Sequence, residues 1–129
     1  MSAGLSIRVD LAPEPDSVSQ ARVRLEALRG TVRDRLLEDL RLLVSEIVTN
    51  SVRHAGLGPK DRVRLRVLVE GGQVRAEILD PGPGFEPPSH APAAGSGSGW
   101  GLFLVERIAD RWGIDRADGR TRVWFELDS

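Results

Sequence analysis

Residues 45–55 of this chain read Ser45-Glu46-Ile47-Val48-Thr49-Asn50-Ser51-Val52-Arg53-His54-Ala55, and they close a long helical pattern. Apolar residues recur there at spacings of three and four. They are Leu36, Leu37, Leu40, Leu43, Val44, Ile47, Val48, Val52 and Ala55. This spacing is typical of an α-helix that buries one face. We therefore expect a helix over residues 36–55.

Three polar side chains share one edge of the apolar stripe of this helix. Glu46, Asn50 and His54 follow one another at intervals of about one helical turn. A ligand beside the helix would therefore meet a carboxylate, an amide and an imidazole. The helix alone leaves a second interpretation open, in which Glu46 is a solvated rim residue and Asn50 a surface amide. For His54, a structural role is favoured over a chemical one.

The composition is that of an ordinary globular domain. The chain has 129 residues, 40% of them hydrophobic and 29% charged, and we interpret residues 1–129 as one domain. The net charge is -1 and no block of Lys or Arg occurs, which argues against a nucleic-acid partner and against an anionic membrane. The sequence contains no cysteine, no signal-peptide pattern and no apolar run of membrane-spanning length. We expect a cytoplasmic protein.

Alternating apolar and polar residues predict strands before and after the long helix. The predicted strands are residues 5–11, 63–69, 74–80 and 121–127. Further helices are predicted over residues 18–28 and 102–109. Because most strands have one apolar face, the pattern favours an α/β fold, a two-layer sandwich with a mainly antiparallel sheet and helices on one face.

Asp80, at the end of one of these strands, falls on the apolar face of the alternation although it is charged. It follows the inward-facing residues Val74, Ala76 and Ile78 at even spacing, so its carboxylate points toward the buried side of the sheet. A buried carboxylate is costly unless it has a partner. The alternative is that the strand has already ended and that Asp80 begins an Asp-Pro turn. The strand alone leaves both interpretations open.

A glycine-rich segment joins Asp80 to the last predicted helix. It opens with Asp80-Pro81-Gly82-Pro83-Gly84-Phe85 and continues in Pro, Ala, Gly and Ser up to Gly99. A long loop inside a compact domain is usually a functional lid or a disordered segment. At the start of the helix, free N–H groups and the helix dipole favour a phosphate.

The order of these motifs is more specific than any one of them. Glu-x-x-x-Asn lies on a long helix, Asp-x-Gly-x-Gly follows a strand, Gly-Trp-Gly-Leu precedes a helix, and a Thr-led strand comes last. From about Leu36 to Leu127 the chain resembles the GHKL ATPase family, and within it the short anti-sigma-factor serine/threonine kinases. The segments Val-Ser-Glu-Ile-Val-Thr-Asn-Ser-Val-Arg-His-Ala and Arg-Ile-Ala-Asp-Arg-Trp-Gly are particularly similar to that group.

The resemblance implies that the chain binds ATP and Mg²⁺ between the long helix and the glycine-rich lid. It implies that Asn50 ligates Mg²⁺ through its amide oxygen and that Glu46 is the catalytic base, which takes the proton from an attacking hydroxyl. Asp80 would accept a hydrogen bond from the exocyclic amine of adenine, and Thr121 would help to hold the adenine end. The other implied ATP-binding residues are Gly82, Gly84, Gly97, Gly99, Gly101 and Leu102.

The predicted function is a serine/threonine protein kinase that phosphorylates an anti-anti-sigma (STAS-type) partner and regulates a sigma factor by partner switching. A second hypothesis is a non-catalytic switch whose partner binding depends on nucleotide. A third, a detached histidine-kinase ATPase domain, is disfavoured because the chain has no room for a dimerising phosphoacceptor helix pair. A homodimer is compatible with each hypothesis.

Two features of the sequence distinguish the first two hypotheses. The presence of Glu46 favours the enzyme. The lid favours the switch, because no Lys or Arg occurs between Asp80 and Glu106, whereas many relatives carry a basic residue there that can offset phosphate charge. His90 is a poor substitute, since histidine is mostly neutral at about pH 7.

Overall fold

Five strands and three α-helices make up the described part of the chain, which comprises residues 4–54, 56–82 and 100–128 of the computed structural model. His54, Trp100 and Gly101 are described by their backbone only. The elements in chain order are β1 (Leu5–Leu11), α1 (Asp16–Leu25), a short 3-10 helix (Glu26–Leu28), α2 (Asp34–His54), β2 (Val63–Glu70), β3 (Gln73–Asp80), α3 (Trp100–Ile108), β4 (Arg111–Ala117) and β5 (Arg120–Leu127).

The strands form one sheet in the order β1-β2-β3-β5-β4, and every neighbouring pair is antiparallel. The β2–β3 hairpin turns at Gly71 and Gly72, whose φ angles of 60° and 82° suit glycine. Between β3 and β5, Asp80 is opposite Thr121, which brings the end of one strand to the start of the other. The predicted two-layer α/β sandwich is confirmed. β4 was not predicted, because this edge strand lacks a clean alternation of buried and exposed residues.

The helix α2 is the central element of the hydrophobic core. Its apolar face is at most 3% exposed at Leu36, Leu37, Leu40, Leu43, Val44, Ile47 and Val48. These residues belong to the same buried cluster as Leu65, Ile78 and Phe125 of the sheet and Leu102 and Val105 of α3. The period of three and four residues therefore identified the buried face of α2 correctly. No helix in the described ranges is long and apolar enough to cross a membrane.

The other face of the sheet carries a ladder of half-buried charges. Glu126 accepts hydrogen bonds from Arg111 and Arg75, and Arg75 also lies 4.4 Å from the centre of the Trp124 ring. The Arg111 guanidinium, followed by Arg75, holds the pKa of the Glu126 carboxyl below its ordinary value. Because these pairs are partly solvated, each contributes little to stability.

Leu42 and Leu43 allow a direct test of how much the core depends on α2, because they are adjacent, identical and differently exposed. Leu43 is 0% exposed and Leu42 is 41% exposed. Leu43→Ala should lower the free energy of unfolding by about 2–5 kcal/mol, since it leaves a cavity in the core. Leu42→Ala, the matched control, should cost less than about 1 kcal/mol. Urea denaturation measures both, and equal costs would contradict this packing.

Candidate active site

Glu46 and Asn50 lie about one turn apart on α2, at the edge of its buried face. Asn50 is 8% exposed and Glu46 is half-buried. Among the described residues, neither side chain has a hydrogen bond or an ion pair. The described part of the chain therefore leaves the carboxylate and the amide open to a ligand. The imidazole of His54, the third residue of the predicted edge, lies outside the described side chains.

Asp80 is the buried carboxylate at the end of β3, with 3% of its surface exposed. Its Oδ2 accepts a hydrogen bond of 2.7 Å from the Ser51 hydroxyl of α2, and its Oδ1 accepts one of 2.8 Å from the Gly82 N–H. The side chain thus points inward, as its parity predicted, and it also closes the Asp-Pro turn of the alternative interpretation. Each carboxylate oxygen keeps capacity for a further hydrogen bond, which a ligand can use.

Thr121, at the start of β5, lies beside Asp80 and is 2% exposed. Its hydroxyl donates a hydrogen bond of 2.8 Å to the Gly82 carbonyl oxygen and accepts one of 2.7 Å from Arg116. Arg116 also donates to the Gly82 oxygen at 2.8 Å. The turn after β3 is therefore held by β3, β4 and β5 together.

The structure brings some of the sequence-predicted residues together and leaves others undescribed. Asp80, Gly82 and Thr121 form one cluster, and Ser51 links it to the helix that carries Glu46 and Asn50. The predicted contacts that lie outside the described residues are Gly84, Gly97 and Gly99.

Gly101 and Leu102 lie in the first turn of α3. The side chain of Leu102 is 2% exposed and belongs to the hydrophobic core. A nucleotide contact of Leu102 would therefore be made by its backbone N–H, since the first N–H groups of a helix have no partner within the helix.

Two residues of the cluster were missed by the sequence analysis, namely Ser51 and Arg116. Ser51 directly follows Asn50 within the opening stretch, and its 1% exposure sets it apart from a surface serine. Arg116 lies on the unpredicted strand β4. It reaches the cluster because it is paired with Thr121 across the β4–β5 ladder. No signal in the sequence pointed to either contact.

The geometry can be compared with what Mg-nucleotide needs. Within the described residues there is no group of three or more His, Cys, Asp or Glu side chains that could hold a metal by itself. A magnesium ion that is bound largely by phosphate oxygens and water needs few protein ligands. The amide oxygen of Asn50, which has no partner among the described residues, suits it. The inward Asp80 acceptors suit an amino group. The residues present therefore fit a nucleotide with its metal.

Comparison with known proteins agrees with this fit. The family model of the histidine kinase-like ATPase domain matches residues 11–127. The serine-protein kinase RsbW of Listeria monocytogenes is 29% identical, over 81% of this chain and 75% of that protein. RsbW of Bacillus subtilis is 28% identical, over 89% of this chain and 81% of that one.

Solved structures show the same fold. The RsbU and RsbW domains of Rv1364c from Mycobacterium tuberculosis match with a TM-score of 0.73 and 21% identity, over 96% of this chain and 32% of that one. A blue-light activated histidine kinase from Erythrobacter litoralis matches with a TM-score of 0.57 and 22% identity, over 88% of this chain and 41% of that one. The family predicted from the order of the motifs is confirmed: the chain belongs to the histidine kinase-like ATPase domain family.

Proposed function

We propose that this chain is an ATP-dependent serine/threonine protein kinase that phosphorylates an anti-anti-sigma (STAS-type) protein and regulates a sigma factor by partner switching. The observation that carries the proposal is the buried Asp80 carboxylate, which Ser51 ties to the helix holding Glu46 and Asn50. The similarity to serine-protein kinases supports the same activity. Such partners act in the cytoplasm, so the proposal places this chain there too.

The base of ATP would bind at the end of β3. The unused lone pairs of Asp80 would accept hydrogens from the exocyclic amine of adenine. Gly82 has no side chain, so the base can approach the backbone of the turn closely. Thr121 lies next to Asp80 on the same side of the sheet and would complete this end of the site.

The reactive end of ATP would lie along α2. Asn50 would hold Mg²⁺ through its amide oxygen, a hard and neutral donor that suits this ion beside phosphates. Bound ATP supplies the phosphoryl group. Glu46, one turn away and unpaired among the described residues, would orient the hydroxyl of the partner protein and take up its proton.

A specific feature favours the second candidate function, a nucleotide-dependent switch without phosphotransfer. No Lys or Arg occurs between Asp80 and Glu106, so the lid offers no side-chain cation to a transferring phosphate. Arg116 cannot take that role in the observed arrangement, because its guanidinium is bound to Gly82 and Thr121. The lid residues themselves lie outside the described part of the chain.

One experiment separates the two functions. The chain is incubated with γ-labelled ATP, Mg²⁺ and STAS-type proteins encoded in the same genome. Label on a serine or threonine of one of them supports the kinase. A complex that forms only with nucleotide, without transfer of label, supports the switch. If no STAS-type protein is labelled or bound, the proposed partner is wrong.

The first prediction concerns the base end. Asp80→Asn should weaken ATP binding about ten- to a hundredfold, because a charge-assisted hydrogen bond is lost. The matched control is Asp115→Asn, which changes a carboxylate on the charged face of the sheet, where Arg122 binds it. Calorimetric titration with ATP measures both. Equal affinity of the wild type and Asp80→Asn would exclude Asp80 from the site.

The second prediction concerns the metal. Asn50→Ala should abolish the gain in ATP affinity that Mg²⁺ gives the wild type, since the amide oxygen is the ligand removed. ATP binding is measured by titration with Mg²⁺ and again with EDTA. The two affinities should differ in the wild type and coincide in Asn50→Ala. A full Mg²⁺ effect in the variant would place the metal ligand elsewhere.

The third prediction separates chemistry from binding. Glu46→Gln should lower the rate of phosphotransfer by about 10²–10⁴-fold, the range expected for a positioned base. Its ATP affinity should stay within about threefold of the wild type, because the amide keeps the size of the side chain. Glu38→Gln, an exposed position of the same helix, is the control. Single-turnover kinetics decide, and an unchanged rate in Glu46→Gln would mean that another group is the base.

A further inference from the structure

Arg116 is the polar residue of the cluster to which the proposed function gives no role. Its Nη1 donates to the Gly82 carbonyl oxygen at 2.8 Å and to the Thr121 hydroxyl at 2.7 Å. Its Nη2 donates to the Gly119 carbonyl oxygen at 3.1 Å. The guanidinium therefore connects the β4–β5 turn with the turn that follows β3.

In the described part of the chain, the Gly82 carbonyl oxygen is the one acceptor of the Thr121 hydroxyl hydrogen. A guanidinium donates and never accepts, and a carbonyl oxygen accepts and never donates. Thr121 Oγ1 is 2.8 Å from the Gly82 oxygen, so its hydrogen lies between the two. The same hydroxyl accepts from Arg116, which uses one of its two lone pairs. Thr121 can therefore only accept a hydrogen bond from a ligand.

The donors and acceptors of the neighbouring groups are also already in use. The Gly82 oxygen receives hydrogens from Thr121 and Arg116, which fill its two lone pairs. The Gly82 N–H and the Ser51 hydroxyl both donate to Asp80. Of these groups, only the remaining lone pairs of Asp80 and Thr121 are available. The cluster therefore offers hydrogen-bond acceptors to a ligand, and no donors.

We propose that Arg116 is a positioning residue that fixes Thr121 as a hydrogen-bond acceptor, so that the site selects a purine with an amino group at C6 over one with a carbonyl there. The inference rests on the proposed adenine-nucleotide site and adds a reason why that site would prefer adenine to a 6-oxopurine. An amino group supplies hydrogens to the acceptors. A carbonyl oxygen would face the lone pairs of Asp80 and Thr121, and sites built for one hydrogen-bonding pattern reject the other.

The selectivity depends on Arg116 because its guanidinium donates to both ends of the hydrogen bond between Thr121 and Gly82. Without the guanidinium, the Gly82 carbonyl is held by Thr121 alone and the turn can move away. The hydroxyl can then rotate and donate to a ligand carbonyl. Loss of the positive charge also weakens nucleotide binding, but it does so equally for nucleotides with the same phosphates. The ratio of two affinities therefore isolates the hydrogen-bonding effect.

The test compares ATP with inosine triphosphate, which carries a carbonyl at C6, by calorimetric titration. In Arg116→Met the preference for ATP should fall about five- to tenfold, the equivalent of roughly one hydrogen bond. Arg116→Lys keeps a cationic donor and should retain most of the preference. Arg120→Met is the matched control, because within the described ranges the Arg120 side chain donates to the exposed Arg62 carbonyl at 3.3 Å and to no group of the cluster. It should keep the wild-type ratio.

Each outcome is decisive. An ATP preference in folded Arg116→Met equal to that of the wild type would overturn the role of Arg116. If Arg116→Met does not fold, Thr121→Val removes the acceptor directly, and an unchanged preference in that variant overturns the inference as well. A wild-type protein that binds neither nucleotide would overturn the proposed function itself, whereas ATP binding with unchanged ratios overturns only the selectivity argument.

Discussion

The hydrogen bond between Ser51 and Asp80 is the contact on which the site depends. It joins the helix α2 to the end of β3 at 2.7 Å, and both residues are at most 3% exposed. A charge-assisted bond in such an interior is strong, and it is costly to leave either partner unsatisfied. The hydrophobic core packs α2 on the sheet. Because Glu46 and Asn50 lie on this helix, the bond between Ser51 and Asp80 links the helical groups to the carboxylate on the sheet.

The turn after β3 is preorganised to an unusual degree. Gly82 donates its N–H to Asp80, and its carbonyl oxygen accepts from both Thr121 and Arg116. A segment held by three strands needs no ordering when a ligand arrives, so little conformational entropy is lost on binding. We therefore infer that recognition of the base is built into the sheet, whereas the phosphates depend on the helix α2 and on the segment between Gly82 and Trp100.

The distribution of positive charge separates these two tasks. Arg116 lies at the base end of the cluster, and no Lys or Arg follows Asp80 before Glu106. In the proposed kinase, charge that develops on a transferring phosphate would thus meet Mg²⁺ and backbone N–H groups instead of a cationic side chain of the lid. Under the proposed function, phosphotransfer would then have less electrostatic help than a basic lid would give. The kinase and the switch differ on this point rather than on the binding of ATP.

The sequence by itself determined the helix α2 and the strands β1, β2, β3 and β5, and it offered the inward direction of Asp80 as one of two interpretations. All of these follow from local periodicity, since the repeat of a helix or a strand decides which residues are buried. Only the tertiary structure decided the roles of Ser51 and Arg116. Asp80 lies 29 residues from Ser51 and Gly82 lies 34 residues from Arg116, and no local pattern records contacts over such distances in the chain. A polar side chain can bond to any group that folding brings near, so its partner is fixed by strand pairing and layer packing rather than by its neighbours in sequence.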